Sequence, residues 1–236
     1  MEKLKRDTKD LIGITLTPYQ LSLLGEYEKE LDKWNQRYSL TAIHEPEKVR
    51  VKHFLDSFSP MLVMKNTPVN SLIDIGTGAG FPGIPLKILM PDMEVVLVDS
   101  VNKKTEFCQH IIDYLNLSGI TAVHHRVEDL ARQDNYREQF DWAVARAVAQ
   151  LPTLSEYLLP FVKIGGRMLA MKGDRGPIET QEAEPAITLL GGELQQVKRL
   201  TLPGVSEDRF LITVEKKAST PEKYPRRAGV PSKRPL

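Results

Sequence analysis

Residues 71–85 read Ser71-Leu72-Ile73-Asp74-Ile75-Gly76-Thr77-Gly78-Ala79-Gly80-Phe81-Pro82-Gly83-Ile84-Pro85. The apolar run from Val69 to Ile75 is of the kind that forms a buried parallel strand, and it carries Asp74 near its end. Gly76, Gly78 and Gly80 follow at alternate positions, predicting a turn whose bare backbone can approach a ligand closely. Pro82 and Pro85 suit the first turn of a following helix, where a missing N–H costs nothing. Strand, glycine turn and helix together predict a nucleotide-type ligand site at the carboxyl end of a strand.

Residues 78–83 satisfy the dinucleotide pattern GxGxxG, but in poor register. The first glycine of that pattern falls several residues past the strand, and Pro82 interrupts the helix start. The pattern Asp74-x-Gly76-x-Gly78-x-Gly80 instead begins at the strand end. An acid there can hold an ammonium, directly or through water. S-adenosylmethionine (SAM) has an ammonium, a carboxylate and a ribose but no phosphate. A second strand, 94–98, runs into Asp99, 25 positions after Asp74, where a carboxylate would meet the ribose hydroxyls of either NAD or SAM. SAM is favoured, with NAD the alternative.

The chain has 236 residues, enough for one full domain with an extension. A formal net charge of +1 gives no global electrostatic case for nucleic acid, so any such case must be local. The lone cysteine, Cys108, excludes an internal disulfide and a Cys-based metal site, and it reads as a buried small hydrophobe; no metal is expected. No signal-peptide core or membrane-length apolar run is visible. The expectation is a soluble, cytoplasmic monomer.

Residues 1–66 read as a helical extension. Thr17-Pro18 caps a helix running to about Arg37, with Leu21, Leu24, Tyr27, Leu31 and Trp34 as its apolar stripe. A second helix is predicted over 45–64. From 67 to 217 strand and helix alternate, as a mainly parallel α/β sheet requires. Strands are predicted near 69–75, 94–98, 120–125, 140–145, 166–171, 193–201 and 208–216, and helices near 82–90, 102–116, 151–162 and 178–190. The short turn between the last two strands makes them an antiparallel hairpin, which a standard dinucleotide fold lacks. A Rossmann-like, class I SAM-dependent methyltransferase fold with seven strands follows. The tail, 218–236, carries Lys223, Arg226, Arg227, Lys233 and Arg234, and its prolines and glycine argue against a helix. It reads as a solvated terminus or as an arm for phosphate backbone, with Tyr224 free to stack on a base. Its removal is expected to leave SAM affinity intact.

Arg126-Val127-Glu128-Asp129 follows the third strand, where an acid commonly meets an adenine amino group. Arg146, at the end of the fourth, faces the ligand crevice and suits a SAM carboxylate, a phosphate or a purine O6, unless it serves a structural ion pair. Lys172-Gly173 puts a further cation on the same rim. There is no Asp/Asn-Pro-Pro-Tyr/Phe for an exocyclic amine and no Pro-Cys nucleophile for a pyrimidine ring. A purine N7 needs neither: its lone pair is nucleophilic and no proton must leave.

These residues resemble the ribosomal RNA small subunit methyltransferase G family, formerly the glucose-inhibited division protein B family. The resemblance rests on Asp74 through Pro85 and extends to Trp34-Asn35, Leu40 through Ile43, His53-x-x-Asp56-Ser57, Val98-Asp99-Ser100, Arg126-Val127-Glu128, Ala145-Arg146-Ala147, Lys172-Gly173 and the tail. Ser39 departs from it, since the family usually has Asn before Leu-Thr. The resemblance implies SAM-dependent methylation of guanine N7 in the decoding-centre loop of 16S rRNA. It also implies that Gly76 and Phe81 flank the cofactor, that Val127 and Glu128 meet its adenine end, and that Arg146 lies between cofactor and base. Asp74, Gly78 and Asp99 join the cofactor set by position, and Lys172, Arg226, Arg227, Lys233 and Arg234 are the expected RNA contacts. Rival readings are a methyltransferase for another RNA, a protein or a small molecule, a dehydrogenase, and a non-catalytic SAM-binding module.

Overall fold

The computed structural model describes residues 1–236. Its centre is a seven-stranded sheet in the order β3-β2-β1-β4-β5-β7-β6. The strands are β1 (Ser71–Ile75), β2 (Glu94–Asp99), β3 (Ile120–His124), β4 (Phe140–Arg146), β5 (Val162–Lys172), β6 (Gly192–Leu200) and β7 (Arg209–Lys216). β7 runs antiparallel to both β5 and β6, and the other pairings are parallel. The hairpin expected from sequence is therefore present, and the sheet is that of the class I SAM-dependent methyltransferase fold.

Alternation along β1 sorts its side chains between two cores. Leu72 joins the core packed under the N-terminal helices α1 (Glu2–Ile12) and α2 (Pro18–Tyr38) and under α6 (Gly83–Leu89) and α7 (Asn102–Tyr114). Ile73 and Ile75 face the other core, with α9 (Leu151–Leu158) and α10 (Gly176–Leu189). α2 begins with the expected cap, a reciprocal pair of hydrogen bonds between Thr17 and Gln20. Its stripe is core, with Leu24 and Tyr27 fully buried.

Three local expectations change. The single helix predicted over 45–64 is α3 (Pro46–Val49), a π-helical turn (Arg50–Leu55), α4 (Asp56–Phe58) and, after a break, α5 (Met61–Met64). The Asp56 N–H reaches back five residues to Val51, a wide turn often found beside functional sites. The helix predicted over 151–162 stops at Leu158, because Pro160 sits in a tight 3-10 turn (Leu159–Phe161). The tail is packed rather than free, and it contains a helical turn, α11 (Val230–Lys233). Pro231 lies in that first turn, where its missing N–H is no obstacle.

Ser39 closes α2 in the left-handed region, at φ 48° and ψ 52°. Asn tolerates that region better than Ser, so Ser39 is the less suited residue for this conformation, and nothing in the structure explains the departure. Ser39→Asn is expected to stabilise the fold by about 0.5 kcal/mol and to raise the melting temperature by about 1–2 °C. A lower melting temperature would show that this backbone carries no such strain.

Candidate functional site

Two cavities open at the carboxyl ends of the parallel strands. The first, of about 260 Å³, is lined by Ile75 at the end of β1 and Gly76 just after it, by Val98, Asp99 and Ser100 at the end of β2, and by the segment His125–Glu128 after β3. Val148, Tyr157 and Ser232 complete its walls. Gly76 has φ +67°, and a β-carbon there would sit 2.5 Å from Val148 Cγ2. Asp99 is buried and organises the turn beside it. Its Oδ2 accepts the Gly78 N–H at 2.9 Å, and its Oδ1 accepts the Val101 N–H at 2.9 Å. Gly78 thus contributes by holding Asp99, and its carbonyl accepts from the buried Cys108 thiol.

Asp74 differs from expectation. It shares the face of β1 with Leu72, is fully buried, and does not line the first cavity. Its Oδ2 accepts from the Thr77 hydroxyl at 2.7 Å and from the Gly83 N–H, the first amide of α6, at 2.9 Å. Oδ1 has no partner. Burial pushes this carboxyl up to about 6, against the pull of those two hydrogen bonds. Asp74 therefore holds the glycine turn against α6 from beneath, and it occupies the helix start where a diphosphate would otherwise bind.

The second cavity, about 560 Å³, takes its walls from the π turn and α4 (Lys52, His53, Asp56), from Arg146 and Ala147, from Lys172 to Arg175, and from Glu179 and Arg209. Arg146 and Ala147 line this cavity while Val148, next in the chain, lines the first. The end of β4 thus lies between the two. Arg146 is held on three sides. Nη1 donates to Asp56 Oδ2 at 2.8 Å and to the Lys52 carbonyl at 3.0 Å, and Nη2 lies 3.3 Å from His53 Nδ1. Its guanidinium carbon stands 5.3 Å from the centre of the Phe81 ring. A guanidinium has five N–H donors, so Nε–H and one Nη2–H remain for a ligand.

Because an arginine can only donate, His53 Nδ1 must accept, and Nε2–H then donates to Thr41 Oγ1 at 2.8 Å. Burial and the neighbouring guanidinium push the His53 imidazole down to about 3. It is neutral and acts as a fixed acceptor. A histidine with a depressed folded-state pKa supports the fold above its unfolded value of about 6.5, and this support fades as pH falls towards 3. The His53 ring resonances are expected to stay at neutral-form values down to about pH 5, checked by NMR titration. A midpoint near 6.5 would contradict the bond to Arg146.

Phe81 is buried and does not line the first cavity. Its ring stacks between Tyr27, at 5.3 Å, and His53, at 4.6 Å. The expected cofactor neighbour is thus a support for Arg146 and for the docking of α2. Tyr27 adds a hydrogen bond from its hydroxyl to the Ala79 carbonyl inside the glycine turn.

Comparison with known proteins places these features. The family profile described as GidB, rRNA small subunit methyltransferase G, matches residues 20–209. A relative from Desulfitobacterium hafniense (strain Y51), named ribosomal RNA small subunit methyltransferase G, is 46% identical over 235 residues, covering 100% of this chain and 97% of its own. The chain belongs to the rRNA small subunit methyltransferase G family. Among solved structures, a SAM-dependent O-methyltransferase from Thermotoga maritima aligns with TM-score 0.52 and 15% identity, over 80% of this chain and 71% of its own. A 16S rRNA (adenine(1408)-N(1))-methyltransferase variant with cosubstrate SAM from Catenulisporales acidiphilia aligns with TM-score 0.51 and 14% identity, over 66% and 88%. At such identities the alignments speak for the fold alone.

Within this member of the methyltransferase G family, the remaining expected residues divide. Val127 and Glu128 open the short α8 (Val127–Leu130) and line the first cavity. Lys172 lines the second, but its ammonium is paired with Glu179 at 2.6 Å and donates to the Ala149 carbonyl. Arg226 is paired with the fully buried Glu156 through Nη2, at 2.6 Å, and through Nε. Tyr224 is buried and unavailable to stack on a base. Arg227, Lys233 and Arg234 are exposed. The picture of a free basic arm is thus corrected: burial of the tail's aromatic and pairing of its first arginine fasten it to the domain. Sequence reasoning did not reach Lys52, Val148, Tyr157, Arg209 and Ser232. Lys52, Val148, Tyr157 and Arg209 belong to no motif, Ser232 lies in the tail that was read as a solvated terminus or an RNA arm, and only the fold brings all five to the cavities.

Proposed function

We propose that the protein transfers a methyl group from SAM to N7 of a guanine in the decoding-centre loop of 16S rRNA. The observation that carries this reading is Arg146 at the boundary of two cavities, in a chain of the methyltransferase G family. The first cavity suits SAM. Asp99 stands at the end of β2 for a ribose, Glu128 for the adenine end, and Ile75, Val98, Val127 and Val148 give apolar walls. Asp74 at the start of α6 disfavours a dinucleotide, because its carboxylate occupies the place of a diphosphate. SAM supplies an electrophilic methyl group on sulfur.

The second cavity suits the base and its phosphates, with Lys52, Arg175 and Arg209 among its walls. Its acids are engaged: Asp56 with Arg146, Glu179 with Lys172, and Asp174 with the Asp208 N–H. His53 is neutral, with Nδ1 turned to Arg146. This favours a nucleophile that needs no base, and N7 of a purine releases no proton on methylation. Arg146 is left to position: its free Nε–H and Nη2–H can hold a guanine O6 or the SAM carboxylate while its other donors fix the guanidinium plane.

The test supplies radiolabelled SAM and small ribosomal subunits that lack this modification, followed by cleavage chemistry selective for 7-methylguanine. The reading requires label in 16S rRNA and cleavage at one guanine of the decoding-centre loop. Label without that cleavage removes the N7 assignment, and absence of label from rRNA removes the substrate.

A further inference from the structure

The tail, 218–236, lies beyond the residues matched by the family profile, yet it is bound to the domain at successive points. Lys216 is fully buried; its ammonium lies 3.1 Å from Glu138 and donates to the Leu159 carbonyl. The Thr220 N–H donates to Glu138 Oε1, and Arg137 donates to the carbonyls of Thr220 and Tyr224. Arg226 then pairs with Glu156. Beyond these anchors the chain crosses α9, where the Pro231 carbonyl accepts from Thr153 Oγ1 at 3.1 Å. There it reaches the first cavity. The Gly229 N–H donates to Glu128 Oε1 at 2.8 Å, and Ser232 lines the cavity together with Ile75, Gly76 and Val98.

Glu128 is nearly inaccessible, and Gly229 is its one protein partner. A buried carboxylate with a single hydrogen bond to one oxygen keeps the other oxygen free for a donor, and a fixed one loses less entropy on binding. We infer that residues 229–232 form a wall of the cofactor cleft, with the Gly229 amide orienting Glu128 towards the adenosine end of SAM and Ser232 closing the cavity beside it. The inference rests on reading the first cavity as the SAM site. It gives the tail a part in cofactor binding, in contrast to a phosphate-binding arm whose loss would leave SAM affinity untouched.

The experiment measures S-adenosylhomocysteine and SAM binding by calorimetry, without RNA, for the full chain and for a chain ending at Ala228. That truncation keeps Lys216, Tyr224 and Arg226 with their partners, and outside the cavity it gives up only the bond from Thr153 to the Pro231 carbonyl and the packing of Leu236. Its dissociation constants are expected to rise at least tenfold, with the apo melting temperature close to that of the full chain. Ser232→Phe in the full chain checks the geometry separately, because it projects a ring into the cavity from an exposed position, and it too is expected to weaken binding at least tenfold. Unchanged affinity in either folded variant overturns the inference while leaving the SAM site in place. Failure of the full chain itself to bind SAM overturns the reading of the cavity instead.

Discussion

Arg146→Ala is expected to lower kcat/KM for rRNA methylation by roughly two to three orders of magnitude, the range seen when a single preorganised donor is removed from an active site. Arg146→Lys is not expected to restore it. An ammonium cannot satisfy the Asp56 carboxylate, the Lys52 carbonyl and His53 Nδ1 while presenting two further donors in one plane. Removing Arg146 also strips a largely buried Asp56 of its close partner, leaving Arg209 at 3.9 Å, and this alone destabilises the fold. The two effects separate in the double variant Arg146→Met, Asp56→Asn, which deletes both charges. Its melting temperature is expected to recover towards that of the native chain while methyl transfer stays lost. Methylation at native rate by a folded Arg146→Lys protein would remove Arg146 from the chemistry.

Gly76→Val is expected to abolish measurable SAM binding, and Gly76→Ala to weaken it by at least tenfold. A β-carbon at residue 76 must displace Val148, whose Cγ2 would be 2.5 Å away, and Val148 is itself a wall of the same cavity. The positive φ adds about 1–2 kcal/mol of backbone strain. Gly78 is the internal control. It also has positive φ, but a β-carbon there meets nothing nearer than the Gly76 carbonyl at 4.0 Å. Gly78→Ala should therefore bear the strain without the collision, and calorimetry should rank it clearly milder. Equal losses at both positions would mean that strain, not the shape of the cavity, sets affinity.

What the sequence revealed about this site was what is encoded locally. An apolar run, alternate glycines and two prolines specify strand, turn and helix within fifteen residues, and so β1, the turn and α6 were legible. Asp99 was legible because the end of a parallel strand is a fixed place in such sheets. The role of Asp74 was not. An acid in the last residues of a strand points either into the cleft or beneath the turn, and only the pairing of β1 within the sheet decides which. Nor does any local pattern announce the π turn that brings Lys52, His53 and Asp56 to Arg146, 90 to 94 residues away in the chain. Tyr27 was legible as core and not as a partner of the glycine turn. The tail misled because composition counts charges without their partners: Glu156, which neutralises Arg226, lies 70 residues back in the sequence.

The bond from Tyr27 to Ala79 bears on how the molecule opens. Tyr27 packs against Phe81, Phe54 and Phe107 as well as holding the turn, so α2 cannot lift away without releasing the loop that shapes the first cavity. Segments coupled in this way exchange their amide hydrogens as one cooperative unit. Deuterium uptake in the middle of α2 and in β1 should then proceed through the same opening event, and a ligand filling the first cavity should slow both together. Protection gained at the glycine turn is in this way passed to a helix that need never touch the ligand.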